Sequence, residues 1–152
     1  MLINFLFPRY ANRYGVSLFL LAMRVFIGML FMMHGLDKAV NFNILVGNFP
    51  DPFGIGSFAT LLLVVFAELF CAIFFIFGLL YRIVMIPMII AMSVAFFGIH
   101  QSDMTQGELA FLYLVIFVLM YIAGPGRFSL DALIGKSIRK AYDRSEEHTS
   151  EL

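Results

Sequence analysis

Two ionisable residues, Arg24 and Glu68, lie deep inside long apolar stretches of the sequence. A charge at the centre of a membrane helix costs about 2.5–3.5 kcal/mol on insertion scales, so such residues usually pair and face the helix bundle. The two stretches are consecutive, and at ~1.5 Å of rise per residue the two charges differ by about 6 Å in depth. An arginine side chain can span that offset. The sequence therefore predicts an intramembrane ion pair between Arg24 and Glu68.

Further polar residues lie on the same faces of these two stretches. At about 100° per residue, Cys71 shares a stripe with Glu68, and another stripe surrounds Arg24. That second stripe contains Gly28, Gly35 and Lys38, with His34 at its edge. Its glycines allow close helix contact. One interpretation is a polar pocket for a proton, a quinone headgroup or a small anion. The other is a buried ion pair that fixes helix register, with His34 and Lys38 extended to the membrane surface.

Two more residues are candidates for the same pocket. His100 lies near the end of the third apolar stretch and can join a proton or metal site, although a histidine at the membrane surface is the plainer interpretation. Cys71 is the single cysteine, and a small buried apolar residue is the plainer interpretation. The sequence contains no zinc, haem, phosphate-loop or nucleophile motif. We therefore predict no metal site and no self-contained catalytic motif.

Four apolar stretches must position these residues. They run roughly over residues 16–36, 57–80, 83–100 and 109–123, near the ~20 residues that cross a bilayer. The chain of 152 residues is 62% hydrophobic and 13% charged. Soluble domains carry about 25% charged residues, so the apolar excess must face lipid. The sequence predicts an all-α membrane protein, a four-transmembrane-helix bundle with a single domain over residues 1–143.

Basic residues are concentrated on one side of these stretches. They are Arg9, Arg13, Arg82, Arg127, Lys136, Arg139 and Lys140. The other side carries Lys38 among several acidic residues. Because basic residues favour the cytoplasmic side, this distribution predicts that both termini lie inside.

Local patterns mark the ends of the fourth stretch. Thr105-Gln-Gly-Glu108 matches a capping box before it, and Gly124-Pro-Gly126 interrupts the helix after it. Ser129 can then cap a short helix whose apolar positions are Leu130, Leu133, Ile134 and Ile138. With flanking basic residues, this predicts a C-terminal interfacial helix on the inner leaflet. Residues 144–152 resemble a translated DNA-sequencing adapter, and we predict that they are a non-native tail.

Several segments, in order, resemble the DoxX family of small bacterial membrane proteins over most of residues 4–135. They are Arg24-Val-Phe-Ile-Gly28, His34-Gly-Leu-Asp-Lys38, Phe49-Pro-Asp-Pro-Phe-Gly-Ile-Gly56, Phe66-Ala-Glu-Leu-Phe70, Gly78-Leu-Leu-Tyr-Arg82, Glu108-Leu-Ala-Phe-Leu-Tyr113 and Gly124-Pro-Gly-Arg-Phe-Ser-Leu-Asp131. The resemblance implies a four-helix fold in the bacterial inner membrane.

The same resemblance implies a function. The family takes its name from a subunit of an archaeal quinone-linked enzyme that acts on thiosulfate, and other members are linked to membrane oxidoreductase assemblies. We therefore expect an accessory subunit of a quinone-linked oxidoreductase that has no intrinsic cofactor and for which quinone is the candidate cofactor. The expected partners are the lipid bilayer, other membrane oxidoreductase subunits or a second copy, and not nucleic acid.

Two other functions remain open. A non-catalytic assembly factor would use the ion pair only as architecture. A small proton-coupled transporter would use Glu68 as the proton-carrying carboxylate. Arg24 beside Glu68 counts against transport, because a nearby cation keeps a carboxylate ionised.

Overall fold

The computed structural model describes the backbone of residues 13–138 and the side chains from residue 14 onward. Within this range the chain forms helices and no strand. The helices are α1 (Arg13–Val40), α2 (Phe42–Leu45), α3 (Ser57–Phe77), α4 (Tyr81–Ile99), α5 (Met104–Ala123) and α6 (130–138). Four of them, α1, α3, α4 and α5, are long and apolar enough to cross a membrane, which confirms the predicted fold class. The predicted tail at 144–152 lies outside the described residues.

The ends of the four spans differ from the predicted bounds for local reasons. Helix α3 ends at Phe77 because Gly78 adopts a left-handed conformation with φ 65°. Helix α5 begins at Met104, well before its first long apolar run, and its cap is Asp103. The Asp103 carboxylate accepts a hydrogen bond from the backbone N–H of Thr105 at 2.8 Å. The predicted capping box with Thr105 as the cap is therefore wrong.

Helix α1 packs along α3 through two glycines. A Cβ atom on Gly35 would lie 2.6 Å from the carbonyl carbon of Glu68, and one on Gly28 would collide with Ile76 and meet Phe75 at 3.1 Å. This confirms the close helix contact predicted from the glycine stripe. Helix α3 also packs against α4, and α4 against α5. The four spans thus form one bundle. We call one end of the bundle the loop end, and it contains residues 41–56 and 100–103. The opposite end, which we call the terminal end, contains the start of α1 and the turn between α5 and α6.

A column of aromatic rings fills the middle of the bundle. The ring of Phe31 lies 5.2 Å from that of Tyr113 and 4.8 Å from that of Phe117, centroid to centroid. Phe117 lies 5.7 Å from Phe75, which stacks on Tyr81 at 5.5 Å. All five side chains are buried. This aromatic column joins α1, α3, α4 and α5 and separates the two ends of the bundle.

Two of the spans contain a π-helical turn. In α3 the turn covers Phe66–Phe70, and in α4 it covers Val94–Ile99. The wider turn in α3 is closed by the N–H of Cys71, which donates to the carbonyl of Phe66. Single π-turns inside α-helices occur frequently at functional sites. The first of these turns carries Glu68, and the second ends immediately before His100.

The C-terminal helix α6 begins as predicted. The hydroxyl of Ser129 accepts a hydrogen bond from the backbone N–H of Ala132 at 3.1 Å, which is the expected N-cap contact. The predicted apolar positions are exposed on the protein surface, and they are Leu130, Leu133, Ile134 and Ile138. Together with the exposed Lys136, this surface suits a helix lying on a membrane.

Candidate functional site

Glu68 forms an ion pair with Lys38 and not with Arg24. The Lys38 Nζ lies 2.5 Å from Glu68 Oε2, and the Glu68 residue is only 3% exposed. Gly35, one helical turn before Lys38, brings the α1 backbone against Glu68. The lysine therefore reaches from the loop end back into the bundle. The predicted Arg24–Glu68 pair is wrong, and so is the alternative in which Lys38 extends away to the membrane surface.

Arg24 binds the turn that follows α5. Its Nη1 donates to the carbonyl of Pro125 at 2.8 Å, and its Nη2 donates to the carbonyl of Phe128. Because Gly35 opposes Glu68 and Arg24 lies eleven residues before Gly35, the Arg24 Cα is about 16 Å further along the α1 axis. The depth estimate failed because it assumed that the ends of the first two spans lie at the same level.

Backbone carbonyl groups in a turn between two helices have no helical partner, so an arginine with several donors is well suited to them. Asp131 completes this anchor at the terminal end. Its carboxylate accepts from the backbone N–H groups of Leu80 and Tyr81, each at 2.9 Å, and so caps α4. Its own N–H donates to the carbonyl of Gly78 at 3.0 Å. Arg24 and Asp131 together fix the turn between α5 and α6, so the role of Arg24 is structural.

A cavity of about 200 Å³ lies at the loop end of the aromatic column. We call it the polar cavity, and its polar lining residues are His34, Lys38, Glu68, His100, Gln106 and Tyr113. It therefore brings together four of the six predicted site residues. The other two lie elsewhere, since Arg24 is in the terminal anchor and Cys71 is buried in the apolar core.

Sequence reasoning missed Gln106 and Tyr113. Both belong to α5, which carries no charge within its apolar run, so no buried charge directed attention to this helix. The ring of Tyr113 lies 6.0 Å from that of His34, and Tyr113 lines the same cavity as Glu68. A phenol in the middle of an apolar span was the available indication.

A second, larger cavity of about 370 Å³ adjoins the first, and we call it the lateral cavity. The two cavities share four residues, which are Lys38, Glu68, Met92 and His100. Most of the other lining side chains are apolar and come from α3, α4 and residues 49–56. Leu63 and Ile90 in this lining are exposed on the protein surface within the spans, so the lateral cavity reaches the region that lipid chains occupy.

Residues 49–56 form the roof of the lateral cavity, and Asp51 holds the roof together. The Asp51 carboxylate accepts from the backbone N–H of Gly56 at 2.7 Å and of Ile55 at 3.1 Å, and from the hydroxyl of Thr60 at 2.9 Å. The hydroxyl of Ser57 donates to the carbonyl of Phe49 at 2.8 Å. The N–H of Gly56, followed by the Thr60 hydroxyl and the other backbone donors, holds the pKa of Asp51 below its ordinary value.

The polar cavity is suited to bind a group that accepts hydrogen bonds. An ammonium, two imidazoles, an amide and a phenol surround a single carboxylate. Within residues 13–138, no group of three or more His, Cys, Asp or Glu side chains is placed to hold a metal ion. The arrangement is that of a ligand site with one buried charge pair at its edge.

Comparison with known proteins identifies the family. A model of the DoxX family matches residues 19–101, which is more than half of the chain. The matched range contains the roof, both π-turns and the residues shared by the two cavities. No curated protein and no solved structure matches the chain. The chain, with its four membrane-spanning helices, therefore belongs to the DoxX family.

Proposed function

We propose that this protein binds the headgroup of a membrane quinone in the polar cavity and acts as an accessory subunit of a quinone-linked membrane oxidoreductase. The observation that carries the proposal is the position of the Lys38–Glu68 pair. It lies at the wall between a cavity lined by hydrogen-bond donors and a cavity that opens to lipid chains. A quinone is soluble in the bilayer and carries two carbonyl acceptors, so it matches both properties.

The donors of the polar cavity match the acceptors of a quinone. A lysine ammonium has three N–H groups, and the bond to Glu68 uses one of them. The others, with Tyr113 and His34, are available to a ligand carbonyl in the same cavity. A hydrogen bond from a charged donor is about twice as strong as one from a neutral donor. Lys38 is therefore the residue we expect to orient the quinone, and Glu68 keeps Lys38 in place.

The accessory role assigns redox chemistry to a partner subunit. The resemblance to the DoxX family implies such an assembly, and the chain has a single cysteine, buried in the core. In this proposal the chain binds and orients the quinone, and electrons reach it from the partner.

The aromatic column favours binding over proton-coupled transport. A transporter needs a polar route between its two sides. Among the described residues, the buried rings of Phe31, Phe75 and Phe117 stand between the polar cavity and the terminal anchor of Arg24. This packing supports a binding site that is closed toward the terminal end of the bundle.

The test is to count quinone bound to the purified protein in lipid nanodiscs of defined quinone content. We expect near-stoichiometric binding to the wild type and a loss of roughly tenfold or more in affinity when Lys38→Met and Glu68→Gln are combined. The double variant is used because removal of one partner leaves a buried unpaired charge, which is destabilising by itself. Folding of each variant is verified by circular dichroism and gel filtration.

Glu108→Gln is the matched control, because Glu108 is an exposed carboxylate outside the lining of both cavities. It should bind quinone as the wild type does. Equal quinone in the wild type and in a well-folded double variant would overturn the proposal and leave the ion pair as architecture, as expected of an assembly factor.

A further inference from the structure

We infer that the lateral cavity binds the prenyl chain of the quinone, so that the chain leaves the protein between α3 and α4 under the roof. This inference rests on the proposed function, and it concerns the part of the ligand that the polar cavity cannot hold. The first observation is continuity, since the two cavities share Lys38, Glu68, Met92 and His100. A ligand whose head bonds to Lys38 therefore begins its chain at the wall of the lateral cavity.

The size and lining of the lateral cavity suit a branched hydrocarbon chain. Its volume of about 370 Å³ is within the range of ~300–1,000 Å³ that is typical of small-molecule sites. Small side chains on the two facing helices create the space, namely Ala67 on α3 and Ala91 and Ala95 on α4. Apolar side chains without hydrogen-bonding groups bind a prenyl chain without leaving any polar group unsatisfied.

The mouth of the lateral cavity opens at the right depth. Leu63 is six residues into α3, about 9 Å from its beginning at Ser57. Ile90, on the facing helix, is likewise exposed. A chain that passes between them enters the hydrocarbon part of the bilayer directly, with no polar surface to cross. The polar cavity has an alternative opening beside His34 and Gln106, but those polar side chains are unsuited to a hydrocarbon chain.

The roof encloses the cavity on its remaining side. Phe49, Pro50 and Phe53 line the cavity from above, and the bonds of Asp51 hold them there. Two prolines in this segment further restrict its backbone. The roof is thus ordered by its own side-chain contacts before any ligand binds, which reduces the ordering that binding requires.

The experiment uses full-length protein in nanodiscs and a ubiquinone analogue with a photoreactive diazirine on its first prenyl unit. After illumination, mass spectrometry of the digested protein should locate the cross-link on α3 and α4, at residues such as Leu63, Val64, Ile90 and Ala91. Cross-links confined to the faces of α1 and α5 would overturn the inference and would place the chain in the other opening.

A second measurement compares a tailless ubiquinone head with a ubiquinone of two prenyl units, each titrated as a mole fraction of lipid. The variant Ala91→Phe fills the lateral cavity, and it should weaken binding of the tailed quinone by about tenfold while changing that of the tailless head less than twofold. Ala123→Phe, at an exposed alanine outside the lateral cavity, is the matched control and should change neither.

The outcomes of this titration separate the inference from the proposed function. Undiminished binding of the tailed quinone to Ala91→Phe overturns the inference and leaves the head site intact. Failure of the wild type to bind either quinone overturns both. Equal weakening of both quinones by Ala91→Phe also contradicts the inference, because the variant then acts on the head.

Discussion

Glu68 and Arg24 are both charged residues buried in apolar helices, yet their neighbours give them different roles. Glu68 accepts a bond from Lys38 at the wall between two cavities, and Arg24 donates to two backbone carbonyls at the opposite end of the bundle. The Arg24 Nε is buried and has no hydrogen-bond partner among residues 13–138, so part of its donor capacity is unused within this range. The two residues should therefore respond independently to substitution.

Double-mutant cycles test this independence. We expect Lys38→Met and Glu68→Gln each to lower the free energy of unfolding by about 3–5 kcal/mol, as in other broken buried pairs, and the combined change to cost much less than the sum. Arg24→Met combined with Glu68→Gln should instead be additive within ~0.5 kcal/mol, because the two sites share no contact. Equilibrium unfolding of the variants in mixed detergent micelles gives these free energies. A strong coupling between Arg24 and Glu68 would contradict the structure.

The helices position the site through the contact of α1 with the π-turn of α3. Gly35→Ala should disrupt this contact, because the added Cβ would lie 2.6 Å from the Glu68 carbonyl carbon and 2.7 Å from the Leu69 nitrogen. Backbone atoms cannot move aside as a flexible side chain can. The overpacking should therefore lower the free energy of unfolding by about 1–3 kcal/mol. Thermal unfolding in detergent measures the loss.

Gly47→Ala is the control for that substitution, because a Cβ on Gly47 would meet none of the described atoms within 4 Å. It should unfold within a degree or two of the wild type, in line with the small effects of most surface substitutions. A wild-type melting temperature in Gly35→Ala would show that the two helices do not approach as closely as the structure has them.

The roof segment has a predicted pH dependence that follows from Asp51. The pKa of Asp51 is lowered in the folded protein by the N–H of Gly56, so the charged carboxylate stabilises the roof at all pH values above the ordinary aspartate pKa of ~3.9. This contribution is lost as the pH falls through that value and the lower folded one. The chain has no tryptophan, so Phe53→Trp supplies a single tryptophan on the roof, whose emission can be excited apart from that of the tyrosines.

We expect the fluorescence of Phe53→Trp to be constant from pH 7 to about pH 5 and to change only in the acid range near and below the ordinary aspartate pKa. Asp51→Asn in the same background should show the acid-type spectrum already at pH 7. A transition between pH 6 and pH 7 that Asp51→Asn leaves in place would show that another group controls the roof.

At the scale of the whole molecule, the four apolar stretches were enough to predict a bundle of four spans, and the glycine stripe was enough to predict which face of α1 meets α3. The vertical register of the two helices was not predictable in this way. Apolar residues are interchangeable along a span, so hydropathy does not fix the level at which one helix passes another. Register depends instead on how the surfaces of the two helices fit together. Here Gly35 packs against the backbone of Glu68, and this contact brings Lys38 to the Glu68 carboxylate. The backbone carbonyls that accept hydrogen bonds from Arg24 were equally unpredictable from the sequence, because every residue has a carbonyl.

The direction of insertion is a prediction at the same scale. The bias of basic residues places the terminal end in the cytoplasm, and exposed serines are available at both ends of the bundle. In a Cys71→Ala background, Ser102→Cys should react with a membrane-impermeant maleimide in intact cells. Ser137→Cys should react only after the cells are permeabilised. The reverse pattern of labelling would place the polar cavity on the cytoplasmic side.

The two π-turns have a consequence for the insertions and deletions that these helices accept during evolution. A π-turn contains one residue more than the α-helical turn it replaces, so deleting a single residue from Phe66–Phe70 would restore a regular helix. Because a π-turn takes up its extra residue locally, the α-helical segments on either side of the deletion would keep nearly the same orientation. The change would be confined to the turn itself, where Glu68 or one of its neighbours would leave its present position against Gly35. A relative that has lost the site can therefore show a one-residue gap at this turn, and relatives that keep the site should align without a gap across both turns.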